Sequence, residues 1–175
     1  MPQNLVLIGL GANLGDAAAT LVAAMAELGA RVDARGPVAC SSLWRSTPVD
    51  CPPDAPDFLN AALAFEAAPG STPERVLALL LALERSFGRR RDGQRNAPRT
   101  LDLDLLAFGA QHRASVTLTL PHPRATQRAF VLAPLAEIAP EFVWPGTDAT
   151  VAELLARLAD RSGVQRLAAT GSCPA

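Results

Sequence analysis

Residues 95–109 read RNAPRTLDLDLLAFG, and this stretch constrains the fold more than any other. Side chains of a strand alternate between its two faces. Asp102 and Asp104 therefore point the same way, roughly 7 Å apart at the rise of an extended chain. Leu101, Leu103 and Leu105 fill the opposite face. A strand of this kind needs a sheet with an apolar core under one face and something polar over the other. Carboxylates that share a face repel and raise each other's pKa unless a cation compensates. Magnesium is one answer, because it takes a few carboxylates and completes its shell with water and phosphate oxygens. An open face on which the acids are solvated or paired with arginine is another.

The residues just upstream favour phosphate. Arg89, Arg90, Arg91, Arg95 and Arg99 precede the acids, and a metal-bridged polyphosphate would offset both sets of charges. A plain surface ion pair, with Arg99 bound to Asp102, remains the alternative. All 16 basic residues are arginine, which excludes a P-loop lysine, a Schiff base and a lysine general base. The always-charged, forked guanidinium suits phosphate oxygens, although a compositionally biased genome would also yield a chain without lysine. The net charge of −1 argues against general affinity for nucleic acid.

At 175 residues, 49% of them hydrophobic, the chain suffices for one domain over 1–175, with the last dozen residues as a flexible tail. Strands are expected at 4–10, 57–67 and 100–108, with a bent one within 31–46 and a return strand at 114–119. Helices are expected over 15–30, from Thr72 to Phe87, near 125–138 and over 150–160. The irregular alternation favours an α+β sandwich over a parallel doubly wound sheet. Cys40, Cys51 and Cys173 lack metal-ligand spacing, and their odd number argues against a disulfide framework. No signal peptide or membrane-length apolar run is evident, which points to the cytoplasm.

Two further groups could carry chemistry. His122, held between prolines in PHPRATQRAF, could donate to a phosphate or simply satisfy a turn. Phe58 and Asn60 share a strand face, where a ring and a carboxamide could stack on a flat heterocycle and read its edge; Phe58 as ordinary core is the plainer alternative. GLGANLG near the start imitates a dinucleotide fingerprint, but its glycines are spaced GxGxxxG and read better as a tight turn. His112 looks incidental.

Taken together, IGLGANLGD, SSLWRSTPV, PDFLNAAL, LERSFGRRR, RNAPRTLDLDLLAFG and PHPRATQRAFVLAPLAEIAPE, in this order, resemble the 6-hydroxymethyl-7,8-dihydropterin pyrophosphokinase family over nearly the whole chain. The resemblance implies a ferredoxin-like sheet, antiparallel or mixed, sandwiched by helices. It implies transfer of pyrophosphate from ATP to the pterin hydroxymethyl group, with release of AMP, by a monomer that needs no nucleic-acid or membrane partner. It further implies two Mg2+ ions on Asp102 and Asp104, and Arg89 and Arg99 on the transferring phosphates. Arg91, Leu105, Thr119, His122 and Arg128 would contact the nucleotide. Phe58 and Phe130 would sandwich the pterin, with Asn60 and the backbone of Thr47, Pro48 and Val49 reading its edge. Glu84 matches a site-lining position less closely. Asn96, Asp92, Pro123 and Ser46 depart from the family pattern, which bears on the lid and the nucleotide grip and leaves the metal pair and the pterin residues intact. A nucleotidyltransferase on a similar sheet would release pyrophosphate instead, and a non-catalytic nucleotide-binding module neither product.

Overall fold

A computed structural model of the chain describes residues 4–47, 56–88, 99–161 and 163–167. Strand β1 (Leu5–Ala12) leads through a turn to helix α1 (Ala17–Arg31), followed by two short strands, β2 (Ala39–Cys40) and β3 (Trp44–Ser46). The long strand β4 (Phe58–Glu66), helix α2 (Pro73–Ser86) and strand β5 (Asp102–Phe108) come next. The main sheet runs β5-β1-β4-β3 and then β8 (Val164–Arg166), with β2 also on β4. Every pairing in it is antiparallel. The chain is thus α+β, and β1–α1–β3–β4–α2–β5 has the strand arrangement of a split βαβ, ferredoxin-like unit.

The helices form where local chemistry starts and stops them. Asp16 caps α1 by accepting from the Ala19 N–H, and Leu21, Ala24, Met25 and Leu28 make its buried stripe at helical spacing. Thr72 caps α2, Pro73 occupies its first turn, and Gly88 ends it with φ +78°, a conformation glycine adopts without strain. These two helices cover one face of the sheet, packing on Leu63, Leu103 and Leu105. Helices α3 (Ala129–Ile138) and α4 (Val151–Arg157) cover the other, over Leu7, Ala62 and Leu106.

Four expectations are corrected. The return strand at 114–119 is instead a small hairpin, β6 (Arg113–Ala114) against β7 (Thr119–Leu120), because Ser115 bonds across the turn to Leu118. The helix near 125–138 is broken: a 3-10 turn spans Ala125–Gln127, and Arg128 is extended before α3 begins. The start of the supposed tail is β8, the edge strand on β3. Cys40 is disulfide-bonded, with its partner outside the described residues; proximity of that kind does not show in sequence spacing.

A polar clamp holds β3, β8 and α3 together. Glu137 accepts from the Ser42 N–H (3.1 Å), the Ser42 hydroxyl (2.8 Å), the Trp44 indole N–H (3.1 Å) and Arg166 (2.7 Å). Burial pushes this carboxyl up, but the Ser42 and Trp44 donors, then Arg166, leave it below the ordinary carboxylate range. A depressed folded-state pKa stabilises the fold above the ordinary value, and that stability is lost as pH falls through the folded value. Glu137→Ala strands these donors and is expected to cost about 2 kcal/mol in urea denaturation at neutral pH. The deficit should shrink on acidification, as the wild type loses the same bonds.

Candidate functional site

The register of the sheet builds the site. Gly11 on β1 pairs with Asn60 on β4 and Asp102 on β5, and Gly9 pairs with Ala62 and Asp104. Directly opposed residues of antiparallel strands share a face. The acids and the carboxamide therefore stand on the same face, two strand spacings or about 10 Å apart, with bare glycine between them. A Cβ at Gly9 would sit 3.2 Å from Leu106 Cδ1, and one at Gly11 3.6 Å from Asn60 Oδ1. The glycines thus leave a trough across the sheet. The expectation that this glycine cluster serves a turn holds only for Gly15, at φ +61°. Antiparallel neighbours on both sides of β1 also rule out a dinucleotide-binding βαβ start.

The trough opens into a cavity of about 330 Å³. It brings together Thr47, Phe58, Asn60, Arg99, Asp102, Asp104, Arg128 and Phe130, eight of the residues singled out in the sequence. Asn60 donates to the Ser46 hydroxyl at 2.8 Å, which fixes the carboxamide. Arg99 is salt-bridged to Asp102, as the plainer reading of that pair expected, and both still face the cavity. The Arg128 guanidinium lies 5.5 Å from the centre of the Phe130 ring, within cation–π range. Burial, then Arg124, lowers the Arg128 pKa below the ordinary guanidinium value, against the pull of Asp104 and Asp102.

His122 stands beside the cavity rather than in its lining. Its N–H donates to the Leu106 carbonyl at 2.8 Å, tying the loop after β7 to β5. Burial, then Arg128 and Arg124, pushes its imidazole below the ordinary histidine value. Thr119 is exposed on β7. The Leu105 side chain lies in the core under α1 and α2, away from the cavity, leaving only its backbone to meet a ligand. Glu84 is corrected: it does not line the cavity but is buried on the α2 face, accepting from the Leu103 N–H at 2.9 Å. It thus fixes the β5 backbone midway between the two acids. Pro48, Val49, Arg89 and Arg91 lie outside the described residues, as do Asp92 and Asn96.

Several lining residues escaped the sequence reading. Besides Gly9 and Gly11 these include Arg124, Gln127, Asp160, Arg161 and Gly163. Asn13 does not line the cavity but staples its rim: it accepts from the Arg99 N–H at 2.8 Å and donates its own N–H to the Arg99 carbonyl at 3.1 Å. A basic residue two after His122 could have suggested Arg124. Nothing local marks the others, because long-range pairing places them.

A sheet trough with acids and guanidiniums at one end and an aromatic ring with a fixed amide at the other suits a two-substrate transferase. Residues 7–140 match the family 7,8-dihydro-6-hydroxymethylpterin-pyrophosphokinase (HPPK), and the chain belongs to it. It is 42% identical over 164 residues to the 2-amino-4-hydroxy-6-hydroxymethyldihydropteridine pyrophosphokinase of Methylorubrum extorquens, covering 91% of this chain and 96% of that one. It is 40% identical over 149 residues to the enzyme of the same name from Synechocystis, covering 85% and 73%. Among solved structures it resembles Plasmodium falciparum HPPK-DHPS, at TM-score 0.69 and 12% identity, over 93% of this chain and 48% of that one. The chain spans about half the length of that structure, and the likeness shows the fold. The family's activity is transfer of pyrophosphate from ATP to hydroxymethyldihydropterin in folate synthesis.

Proposed function

We propose that the trough is where this transfer takes place, with the ATP phosphates over Asp102 and Asp104 and the pterin against Phe58 and Asn60. The observation that carries it is the register: Asp102, Gly11 and Asn60 in one cross-strand row, and Asp104, Gly9 and Ala62 in the next. Donor and acceptor can then meet over glycine, where no side chain stands between them. The pterin hydroxyl oxygen attacks the β-phosphorus of ATP, a P–O bond forms as the α,β-bridging bond breaks, and AMP leaves with the bridging oxygen. Positioning and charge stabilisation are the protein's share of such a step.

Asp102 and Asp104 are a donor set that fits magnesium. They are two carboxylates on an open face, and among the described residues there is no group of three or more metal-ligating side chains; water and phosphate would supply the rest. A metal held by these residues would screen phosphate charge and ease loss of the proton from the attacking hydroxyl. Arg99, Arg124 and Arg128 all line the cavity and would neutralise phosphate oxygens, joined by Arg89 and Arg91 as the family pattern implies. His122 can donate to a phosphate oxygen from beside the acids. Phe58 and Phe130 would enclose the ring, and Asn60, its nitrogen held by Ser46, would turn its oxygen to a ring N–H. No helix among the described residues is long and apolar enough to cross a membrane. A monomer acting on two small molecules completes the reading, and the net charge of −1 speaks against nucleic acid as a partner.

Incubation with ATP, magnesium and reduced 6-hydroxymethylpterin should yield AMP. Pyrophosphate in its place would indicate nucleotidyl transfer and overturn the reading. Phe58→Ala should weaken pterin binding on the order of tenfold, as loss of an aromatic stacking partner does, with ATP affinity little changed. Unaltered pterin affinity in a titration would refute stacking at this ring.

A further inference from the structure

The wall of the cavity extends beyond the residues matched to the family. Gly163 and Val164 line it, yet they lie more than twenty residues past Pro140, where that match ends. Backbone pairing puts them there. Val164 stands opposite Ser46, and the Thr47 N–H donates to the Gly163 carbonyl at 3.0 Å. Beyond them, Leu167 N–H donates to the Leu43 carbonyl at 2.8 Å, and Arg166 is held by Ser42 and Glu137. The separation between residues 163 and 47 is therefore held by the pairing of residues 43–47 with 163–167.

That separation leaves no room for a side chain. A Cβ at Gly163 would lie 2.6 Å from Thr47 Oγ1 and 3.9 Å from Thr47 Cβ, and the first is far inside van der Waals contact. With its backbone bonded to Gly163, the least costly response of Thr47 is a turn about χ1, which would move its hydroxyl and methyl relative to the cavity. Thr47 follows Ser46, which pairs with Phe58, so the disturbance would fall at the Phe58 and Asn60 end. We propose that Gly163 is a specificity-determining residue: its missing side chain sets the Thr47 rotamer and thereby the shape of the wall against which the pterin ring rests. This rests on the reading of the trough given above. The β8 strand is then part of the pterin pocket as well as an edge to the sheet.

A double-mutant cycle tests it, with steady-state AMP formation as the readout. Gly163→Ala should raise KM for the pterin about fivefold or more, leaving KM for ATP and kcat within about twofold. In a Thr47→Ala background, where the obstructing hydroxyl is gone, Gly163→Ala should change the pterin KM by less than about twofold, since contacting residues are not additive. An unchanged pterin KM in the single variant would overturn the proposal. So would the same loss in both backgrounds, or an equal rise in KM for ATP. Were Gly163→Ala alone not to fold, a folded double variant would support the steric coupling and an unfolded one would overturn it. Absence of AMP from the wild-type chain would instead remove the underlying reading, and this inference with it, before any variant is compared.

Discussion

Asp104→Ala is expected to reduce AMP formation by on the order of 10³-fold or more, the scale of losing a principal electrostatic contact in a group-transfer site. Its fold should survive. Asp104 is exposed on the cavity face of β5, whereas Leu103 and Leu105 beside it carry the core, and exposed positions away from packing are generally tolerant. Thermal denaturation should accordingly be unchanged while magnesium-dependent ATP turnover is lost. Undiminished AMP release would end the role assigned to the acid pair, and a collapsed melting curve would show that Asp104 serves structure instead.

Gly11→Val should be nearly as damaging for a different reason. Valine suits a strand, and among the described residues a Cβ at this position meets only Asn60 Oδ1, at 3.6 Å, so the sheet should tolerate it. The added methyls would stand between Asp102 and Asn60, in the gap that both substrates must share. Turnover should fall on the order of 10²-fold through misplacement of the reacting atoms, with pterin affinity reduced. Gly11→Ala, which adds a single carbon at ordinary contact distance, should fall between this variant and wild type. A Gly11→Val protein with normal kinetics would show that the reaction takes place elsewhere.

What the sequence disclosed follows from the range of the forces involved. The alternation of Leu101 to Leu105 with Asp102 and Asp104 is a local pattern, and it correctly separated the core face from the cavity face. The hydroxyl of Thr72, the proline after it and Gly88 marked both ends of α2 for the same reason. Phe58 and Asn60 were paired correctly because residues two apart on a strand must share a face. The remainder depends on which distant segments pair. Gly9 and Gly11 are featureless until β4 and β5 flank them, and Gly163 gains meaning only from Thr47, more than a hundred residues earlier. Glu84 stands among the site residues only through the family resemblance; its helix instead turns it into the core to hold the Leu103 N–H. The short β8 was invisible because three residues carry too little periodicity to be distinguished from a tail.

The bond between Glu84 and the Leu103 N–H has a consequence for how such a chain can fail. Were β5 to slide by one position along β1, every side chain on it would change sides: both aspartates would enter an oily interior and the leucines would meet water. The anchoring carboxylate would also be left facing the wrong amide. Misalignment is thus penalised through solvation and through a lost bond together. Chains that escape unfolding should therefore nearly all be competent, and partial activity in a purified sample would reflect damaged molecules rather than a well-folded isomer with its strands out of step.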